Sequence, residues 1–560
     1  MSGKAHTVIL PAPFPVNELP DRFGAFFQEK VNTIRASIDS CKTDRSPEHE
    51  PFLRNSFETF KSVSEKEVKD LITSSSPKSC DLDPLPTTVL LKHLDPLSSV
   101  ITKIINDSLT SGIVPNSFKH AVIRPLLKKS TLCPDELKNY RPISNLPFIS
   151  KILEKVVMKQ LKAHLETNRL FDVHQSAYKA NHNTETALLK IFNDLLTAAD
   201  DDKVSLLALL DLSAAFDTID QTILLDRLCH TYGISGIVLK WFDSYLSDRT
   251  QCVVVSGKTS ACFKLKFGVP QGSVLGPILF TLYTKPLSSL IESHGLKYHM
   301  YADDTQLYSS VLSSDFKPLV KTFEACITDI KNWMVINKLQ LNSEKTELVL
   351  FDVKHVLKDM ALGHISIGHD SIPFQTKAKN LGVFFDHNLS MEPQINNVCK
   401  LTYLELRRLG AMAKYLDEIS KKTLASSFIL SRLDYCNSLY LNLSNEAIDK
   451  LQRCQNNAAR IVTRKRKTDP ITPILKHLHW LPVKKRIHYK ASLLCFKCIQ
   501  GTAPRYISDR VPLYIPSRCL RSSEKRLLKE KHSKRRNLAV GHSALQPLSY
   551  GTTYPKTSEI

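Results

Sequence analysis

Three aspartates in this sequence stand where carboxylates need a reason. Asp211 directly follows the apolar run VSLLALL at 204–210, so it closes what reads as a buried strand. An ionised carboxylate there requires a counter-charge. Asp303 and Asp304 are adjacent in YADDTQLY at 301–308. Neighbouring carboxylates repel, and a divalent cation is the usual device that lets both ionise near neutral pH. An oxygen-only cluster of two or three carboxylates suits magnesium, which keeps waters and takes further ligands from substrate phosphates. The ordinary alternatives are a helix N-cap at Asp211, serving a helix from Ala214, and a plain hairpin turn at Asp303 and Asp304. Finding both features on two strands of one expected sheet favours the cation.

The elements that must carry these groups can be read from hydrophobic periodicity. The run at 204–210 is a central strand, and 297–302 and 305–311 are two strands joined by a very tight turn. An apolar stripe at helical spacing (Ile149, Ile152, Leu153, Val156, Val157, Leu161) predicts a helix over 146–165. A second helix is predicted over 184–199, with Thr184 as its cap. Strands at 250–255 and 261–267, separated by Ser-Gly-Lys-Thr-Ser, predict a hairpin. Further strands are predicted at 348–351 and 381–385, and after Asn388 the pattern is helical. Strands interleaved with single helices predict an α+β fold with a helix-backed sheet of the split βαβ kind.

Composition narrows the function classes. The chain has 560 residues, 42% of them apolar and 23% charged, so it can bury a large core and is not disordered throughout. Its 76 Lys and Arg against 55 Asp and Glu give a net charge of +21. Such an excess points to polyphosphate backbones or anionic membrane surfaces as partners. It is concentrated: residues 453–540 hold 23 basic and four acidic residues, a local charge of +19. No apolar run reaches the roughly 18–20 residues of a membrane span, and the Pro-rich start lacks the apolar core of a signal peptide. Thirteen Cys in a long chain without a leader read as reduced thiols, which places the chain in the cytosol or nucleus. Cys495 and Cys498 read as core thiols, because their spacing from His477 and His479 matches no zinc knuckle. An amphipathic helix over 19–38 is followed by a polar linker over 40–51.

Five strings in order now carry a resemblance: DLSAAFDTID at 211–220, GVPQGSVLGPILF at 268–280, YADDTQLY at 301–308, LNSEKTELVLF at 341–351 and LGVFFD at 381–386. Together they resemble the motifs of a reverse transcriptase. RPLLKK at 124–129 and NYRPISNL at 139–146 are similar to the fingers of non-LTR (LINE-type) retrotransposon polymerases. The likeness runs from about residue 85 to 389, and helical sequence of the same kind continues to about 521. It implies a right-hand polymerase with fingers and ferredoxin-like palm over 85–390 and a helical thumb over 391–480. An N-terminal helical extension and linker over 1–84 would precede it, and a basic C-terminal region over 481–560 would follow. The implied reaction is RNA-directed DNA synthesis, adding dNTPs to a DNA primer on an RNA template by a two-metal mechanism, with RNA–DNA hybrid as the bound duplex and no membrane. Two magnesium ions (or manganese) would be held by Asp211, Asp303 and Asp304.

The resemblance also assigns substrate contacts. Phe216 would lie under the nucleotide sugar and exclude a 2′-hydroxyl by steric clash; otherwise it is a core Phe at the start of a helix. Gln271 and Gly272, in a Gly/Pro-rich loop before a helix, would approach nucleotide and template base closely. Lys128 and Arg141 would contact the incoming triphosphate, Arg141 through its planar fork of donors. Lys345 would protonate the departing pyrophosphate or is a solvated surface residue. Asp217 reads as a solvated or structural group outside the site. The basic runs 464–467 and 484–486 would be phosphate or nuclear-import contacts, or a solvated face. Nothing in the first 80 residues suits the endonuclease of complete elements, and from about Glu524 the family's apolar pattern is lost. A second functional class therefore stands beside the polymerase: a catalytically idle product that binds RNA through its basic helices.

Overall fold

The structure, a computed structural model, describes residues 11, 14–40, 55–77, 80–129, 131–352, 363–367, 370–441 and 443–511. The expected linker over 41–51 and the tail beyond 511 lie outside the described residues. Thirteen strands are described: β1 (His120–Leu127), β2 (Tyr140–Asn145), β3 (Val204–Leu210), β4 (Thr250–Val255), β5 (Lys258–Thr259), β6 (Phe263–Lys264), β7 (Lys297–Tyr301), β8 (Asp304–Val311), β9 (Glu347–Phe351), β10 (His364–Ile367), β11 (Asp370–Gln375), β12 (Lys377–Asn380) and β13 (Val383–Asp386). The chain divides into two compact units, each discontinuous in sequence. The first holds residues 1–172, 212–290 and 329–342, the second 173–211, 291–328 and 343–560. Among the described residues no helix is long and apolar enough to cross a membrane.

The first unit is built on a sheet of order β2-β1-β4-β5, with β6 also paired to β4. β1 runs antiparallel to β2 and parallel to β4. The sequence reading missed β1 and β2 because each contains a proline, which ordinarily argues against a paired strand. The register resolves this: Pro125 sits opposite Pro142, three steps from the pair in which Lys128 N donates to Asn139 O, so the two prolines fall at a non-hydrogen-bonded pair and remove no donor from this ladder. The amphipathic helix Leu19–Asp39 lays Leu19, Phe23 and Phe27 on Ile123, Tyr140, Val253 and Val255. Full burial of each such side chain is worth about 1.5–3 kcal/mol. The expected hairpin exists, but its second arm is shorter than predicted. Ser256 and Gly257 turn with φ of 49° and 78° into β5, and the ladder resumes at β6 after a one-residue slip.

The second unit centres on β3, in a sheet of order β10-β11-β9-β3-β8-β7. β3 pairs antiparallel with both β8 and β9, so it is covered at both edges, and its side chains are almost all buried. That double burial is why the run is apolar without alternation. The helix Thr184–Asp200 packs Leu188, Phe192 and Leu195 into a core shared with Leu207, Tyr308 and Val349. Its cap is Asn183 rather than the expected Thr184. Asn183 Oδ1 accepts from Thr186 N at 2.8 Å, and Thr186 Oγ1 accepts from Asn183 N at 3.1 Å. Asn competes well for this position because its short side chain reaches the free N–H groups of the first turn. The helical pattern after residue 388 is borne out by helices such as Glu392–Met412, Asn445–Thr463 and Val483–Ile499, which extend the same core through Leu406, Leu451 and Ile487. Cys495 is buried and Cys498 half-buried.

Candidate active site

Strand register brings the acidic residues of the second unit together. Leu210 pairs with Thr305 across β3 and β8; one step further places Asp211 level with Asp304. Leu209 pairs with Glu347 across β3 and β9; two steps further places Asp211 level with Lys345. Lys345 Nζ donates to Asp211 Oδ2 at 2.7 Å. This is the counter-charge that the strand end requires. The lysine is 65% exposed and the aspartate 26%, so the pair is worth at most about 1 kcal/mol to stability. The alternative reading of Asp211 as a helix cap is not what is observed. Residues 211–220 form turns, and the next helix, Gln221–His230, is capped by Asp220, which accepts from Thr222 N and Ile223 N.

Asp303 occupies the two-residue turn between β7 and β8, with Tyr301 paired to Asp304 on its flanks. Ala302 in that turn has φ of 57°, a conformation that costs an L-residue of order 1 kcal/mol. The cost is offset by Gln175, a residue the sequence did not single out. Its Oε1 accepts from Ala302 N at 3.1 Å and from Ala177 N at 2.9 Å, and its Nε2 donates to Ala302 O at 3.4 Å. Removal of water around the Asp304 carboxyl, followed by the charges of Asp303 and Asp211, raises its pKa to about 6, with Lys345 opposing. The Tyr178 hydroxyl is likewise shifted up, by desolvation and then by Asp303. Asp304, whose ionisation Asp303 and Asp211 disfavour, completes with them a carboxylate donor set that fits a hard divalent cation.

The remaining predicted residues lie in the first unit. Phe216 is half-buried, and its ring stacks on Phe280 with centroids 4.8 Å apart. No helix starts at it. Gln271 Nε2 donates to Asp217 Oδ1 at 2.8 Å. Of the two readings of Asp217, the structural one is observed: burial raises its pKa to about 6, against the Gln271 hydrogen bond and Lys30. Gln271 O accepts from Ser144 N at 2.8 Å, and Gly272 has φ of 116° with its Cα against Ser144 O. Lys128 Nζ donates to Lys138 O at 2.6 Å. Arg141 is exposed on β2, paired with Leu126 of β1.

A second unpredicted anchor is Glu154, on the helix Phe148–Thr167. Its Oε2 accepts from Val274 N at 2.7 Å, Leu275 N at 2.9 Å and Tyr245 Oη at 3.3 Å. Burial raises its pKa, opposed by these N–H groups and by Arg249. It ties the Gly/Pro-rich loop to the entry of helix Gly276–Thr284. The available signal was a Glu set inside the apolar stripe, between Leu153 and Val156. Of the two basic runs, Arg464, Lys465, Arg466 and Lys467 are exposed, whereas Arg486 forms a two-point ion pair with Asp434. Arg486 is thus engaged within the fold rather than offered to a partner.

Part of the chain is similar in sequence to known proteins. Residues 126–385 match the family described as reverse transcriptase (RNA-dependent DNA polymerase). Relatives include the RNA-directed DNA polymerase from mobile element jockey of Drosophila melanogaster, 23% identical over 74% of this chain and 46% of the relative. Two others, from the same species, are named probable RNA-directed DNA polymerases. That from transposon BS is 27% identical over 70% of this chain and 42% of its own length; that from transposon X-element is 26% identical over 65% and 40%. The chain spans less than half the length of these curated relatives. Residues 126–385 are thus similar to reverse transcriptases, and 65–74% of the chain is similar to RNA-directed DNA polymerases of mobile elements.

Proposed function

We propose that the chain is an RNA-directed DNA polymerase that extends a DNA primer on an RNA template with dNTPs. The observation that carries this reading is the register that levels Asp211 with Asp304 and with Lys345. In this reading residues 85–390 act as fingers and palm, 391–480 as thumb and 481–560 as a basic region for nucleic acid. Asp211, Asp303 and Asp304 would hold two magnesium ions. Bound there, these would supply a lowered pKa at the primer 3′-hydroxyl and charge neutralisation on the triphosphate. Lys345, hydrogen-bonded to Asp211, would yield a proton to departing pyrophosphate once that pairing is relaxed.

The other residues orient substrate. Gln271, held by Asp217, and Gly272, without a side chain, let backbone and carboxamide approach nucleotide and template base. Phe216, braced by Phe280, is a ring stiff enough to exclude a 2′-hydroxyl. Arg141 and Lys128 would meet the triphosphate, Arg141 from an exposed strand position. The exposed run 464–467 would grip phosphates of the hybrid. Primer extension by the full chain on a primed RNA template tests the reading. Template-dependent dNTP addition that requires a divalent ion is the expected result. Hybrid binding without any addition would replace the polymerase by an idle RNA-binding product.

A further inference from the structure

Away from the acidic cluster, the first unit gathers His120, Cys252 and Cys262, whose ligand atoms all lie within 4.8 Å of one another. They come from three strand regions. His120 opens β1, Cys252 lies in β4, and Cys262 stands one residue before β6. The β4–β6 register, with Gln251 opposite Phe263, carries on by one step to set Cys252 opposite Cys262. The preceding one-residue slip in the second arm makes this pairing. Continued at the β4–β5 register, which pairs Val254 with Thr259, the ladder would place Ala261 opposite Cys252 instead. Bulges commonly re-aim side chains in this way.

We propose that His120, Cys252 and Cys262 form a site for a thiophilic divalent cation, zinc in the first instance, with its fourth position left to solvent. The distances fit. Zinc bonds of about 2.3 Å to sulfur and 2.0–2.1 Å to nitrogen at tetrahedral angles put sulfur and nitrogen about 3.6 Å apart. His120 Nε2 and Cys252 Sγ are 3.6 Å apart. The other ring nitrogen, Nδ1, is 2.9 Å from Thr250 Oγ1, and such a partner fixes ring orientation and leaves Nε2 to ligate. Burial lowers the pKa of His120, so the imidazole is neutral as a ligand must be. Burial, then Cys262, raises that of Cys252, so without a cation the thiol is protonated. Binding forms two metal–thiolate bonds and one metal–imidazole bond, with the thiol protons passing to solvent. Two soft thiolates select zinc over magnesium, so this site and the acidic cluster would not compete for one ion. The ion would tie β1, β4 and the edge arm of the hairpin together, on the strand that leads to Lys128.

The test uses the full chain, reduced and metal-free, titrated with cobalt(II) as the spectroscopic probe and then with zinc as competitor. One equivalent of cobalt, bound with proton release and thiolate-to-cobalt charge-transfer absorption and then displaced by zinc, is expected. Cys262→Ser, at an exposed position, should remove the band and weaken zinc binding at least about 100-fold, since loss of supporting groups alone costs 10–100-fold. Cys133→Ser, at another exposed thiol, should change neither. Metal-free melting curves matching the parent would show that both variants fold. Absence of the band in the parent chain, or its survival in Cys262→Ser, would overturn the proposal. So would isolation of the chain with a Cys252–Cys262 disulfide.

Discussion

Two glycines of positive φ and opposite surroundings offer a quantitative test of the loop that carries Gln271. Gly257, at the hairpin tip, has φ of 78° and nothing within 4 Å of where a Cβ would stand. Gly272 has φ of 116°, and a Cβ there would lie 2.5 Å from Ser144 O. Alanine at residue 257 incurs the left-handed cost of about 1–2 kcal/mol, less the 0.4–1 kcal/mol regained from a stiffer unfolded chain. The net is about 0–1.5 kcal/mol. Alanine at residue 272 enters a region that L-residues essentially avoid, costing about 1–3 kcal/mol. It must also push a backbone carbonyl away by close to 1 Å, and that carbonyl belongs to the residue whose N–H holds Gln271 O at 2.8 Å. Losing that hydrogen bond adds about 1 kcal/mol, so Gly272→Ala should cost about 3 kcal/mol or more.

At roughly 2–4 °C per kcal/mol for a body of this size, Gly257→Ala should shift the melting temperature of the first unit by about 0–6 °C. Gly272→Ala should shift it by about 6–12 °C. Differential scanning calorimetry of both variants under one buffer measures this, read on the transition that moves, because two units need not melt as one. Primer extension well below either transition adds a second readout: Gly272→Ala should fall, Gly257→Ala should match the parent. Equal shifts in the two variants would refute the close approach of Gly272 to Ser144.

Three further outcomes follow from the site. Asp303→Asn should abolish extension while hybrid binding persists, since affinity comes mainly from phosphate contacts; extension within about tenfold of the parent would remove the carboxylate from the metal set. Phe216→Val should lower the preference for dNTP over rNTP in kcat/KM on one template, whereas a fall in stability of about 1–3 kcal/mol with a constant ratio would leave Phe216 as packing against Phe280 alone. Asp217, with its folded pKa raised to about 6 against about 3.9 unfolded, binds its proton more tightly when folded, so its contribution to stability falls as pH rises from 4 to 6 and stays low above that. Asp217→Asn keeps an acceptor for Gln271 and removes the charge, so it should gain up to about 2–3 kcal/mol relative to the parent at pH 7, and melting temperatures at pH 4.5 and 7.5 that keep the parent's difference would show that Asp217 does not titrate in this window.

Much of the second unit was legible in the sequence because its signals are long and unmixed. The run 204–210 and the pair flanking Ala302 and Asp303 are apolar strands ending at carboxylates, and the observed strands match them to within two residues. The first unit was harder. β1 and β2 carry prolines that read as breaks, and their mutual pairing, which makes the prolines harmless, is a non-local fact. Gln175, Glu154 and Asp217 were missed or set aside for a related reason. Each acts on backbone or side chain far along the sequence, at separations of 127, 120 and 54 residues, and no local period reports such a partner. Glu154 left one trace, a charge within an apolar stripe; Gln175 left none.

The positioning of Asp211 raises a final question, because an apolar run without alternation cannot fix its own register. β3 is buried on both faces, so hydrophobic pattern alone would tolerate a slip of one residue, which would carry Asp211 off the level of Asp304 and turn it to the other face. Specific polar contacts must therefore hold the register. Ser205 lies opposite Ser310, and their hydroxyls are 2.8 Å apart; a slip would strand the buried Ser205 hydroxyl at a cost of about 1–3 kcal/mol. Tyr308, opposite Leu207, donates to Asp194 Oδ2 at 2.7 Å and accepts from Lys190 Nζ at 2.6 Å, both from the covering helix. Sliding β8 would break these bonds within a low-dielectric core, where unpaired charges cost most. The Gln175 clamp on Ala302 then sets where β7 ends and β8 begins. Buried polar residues that add little net stability thus do what the apolar core cannot: they select, among near-equal strand pairings, the one that levels the carboxylates.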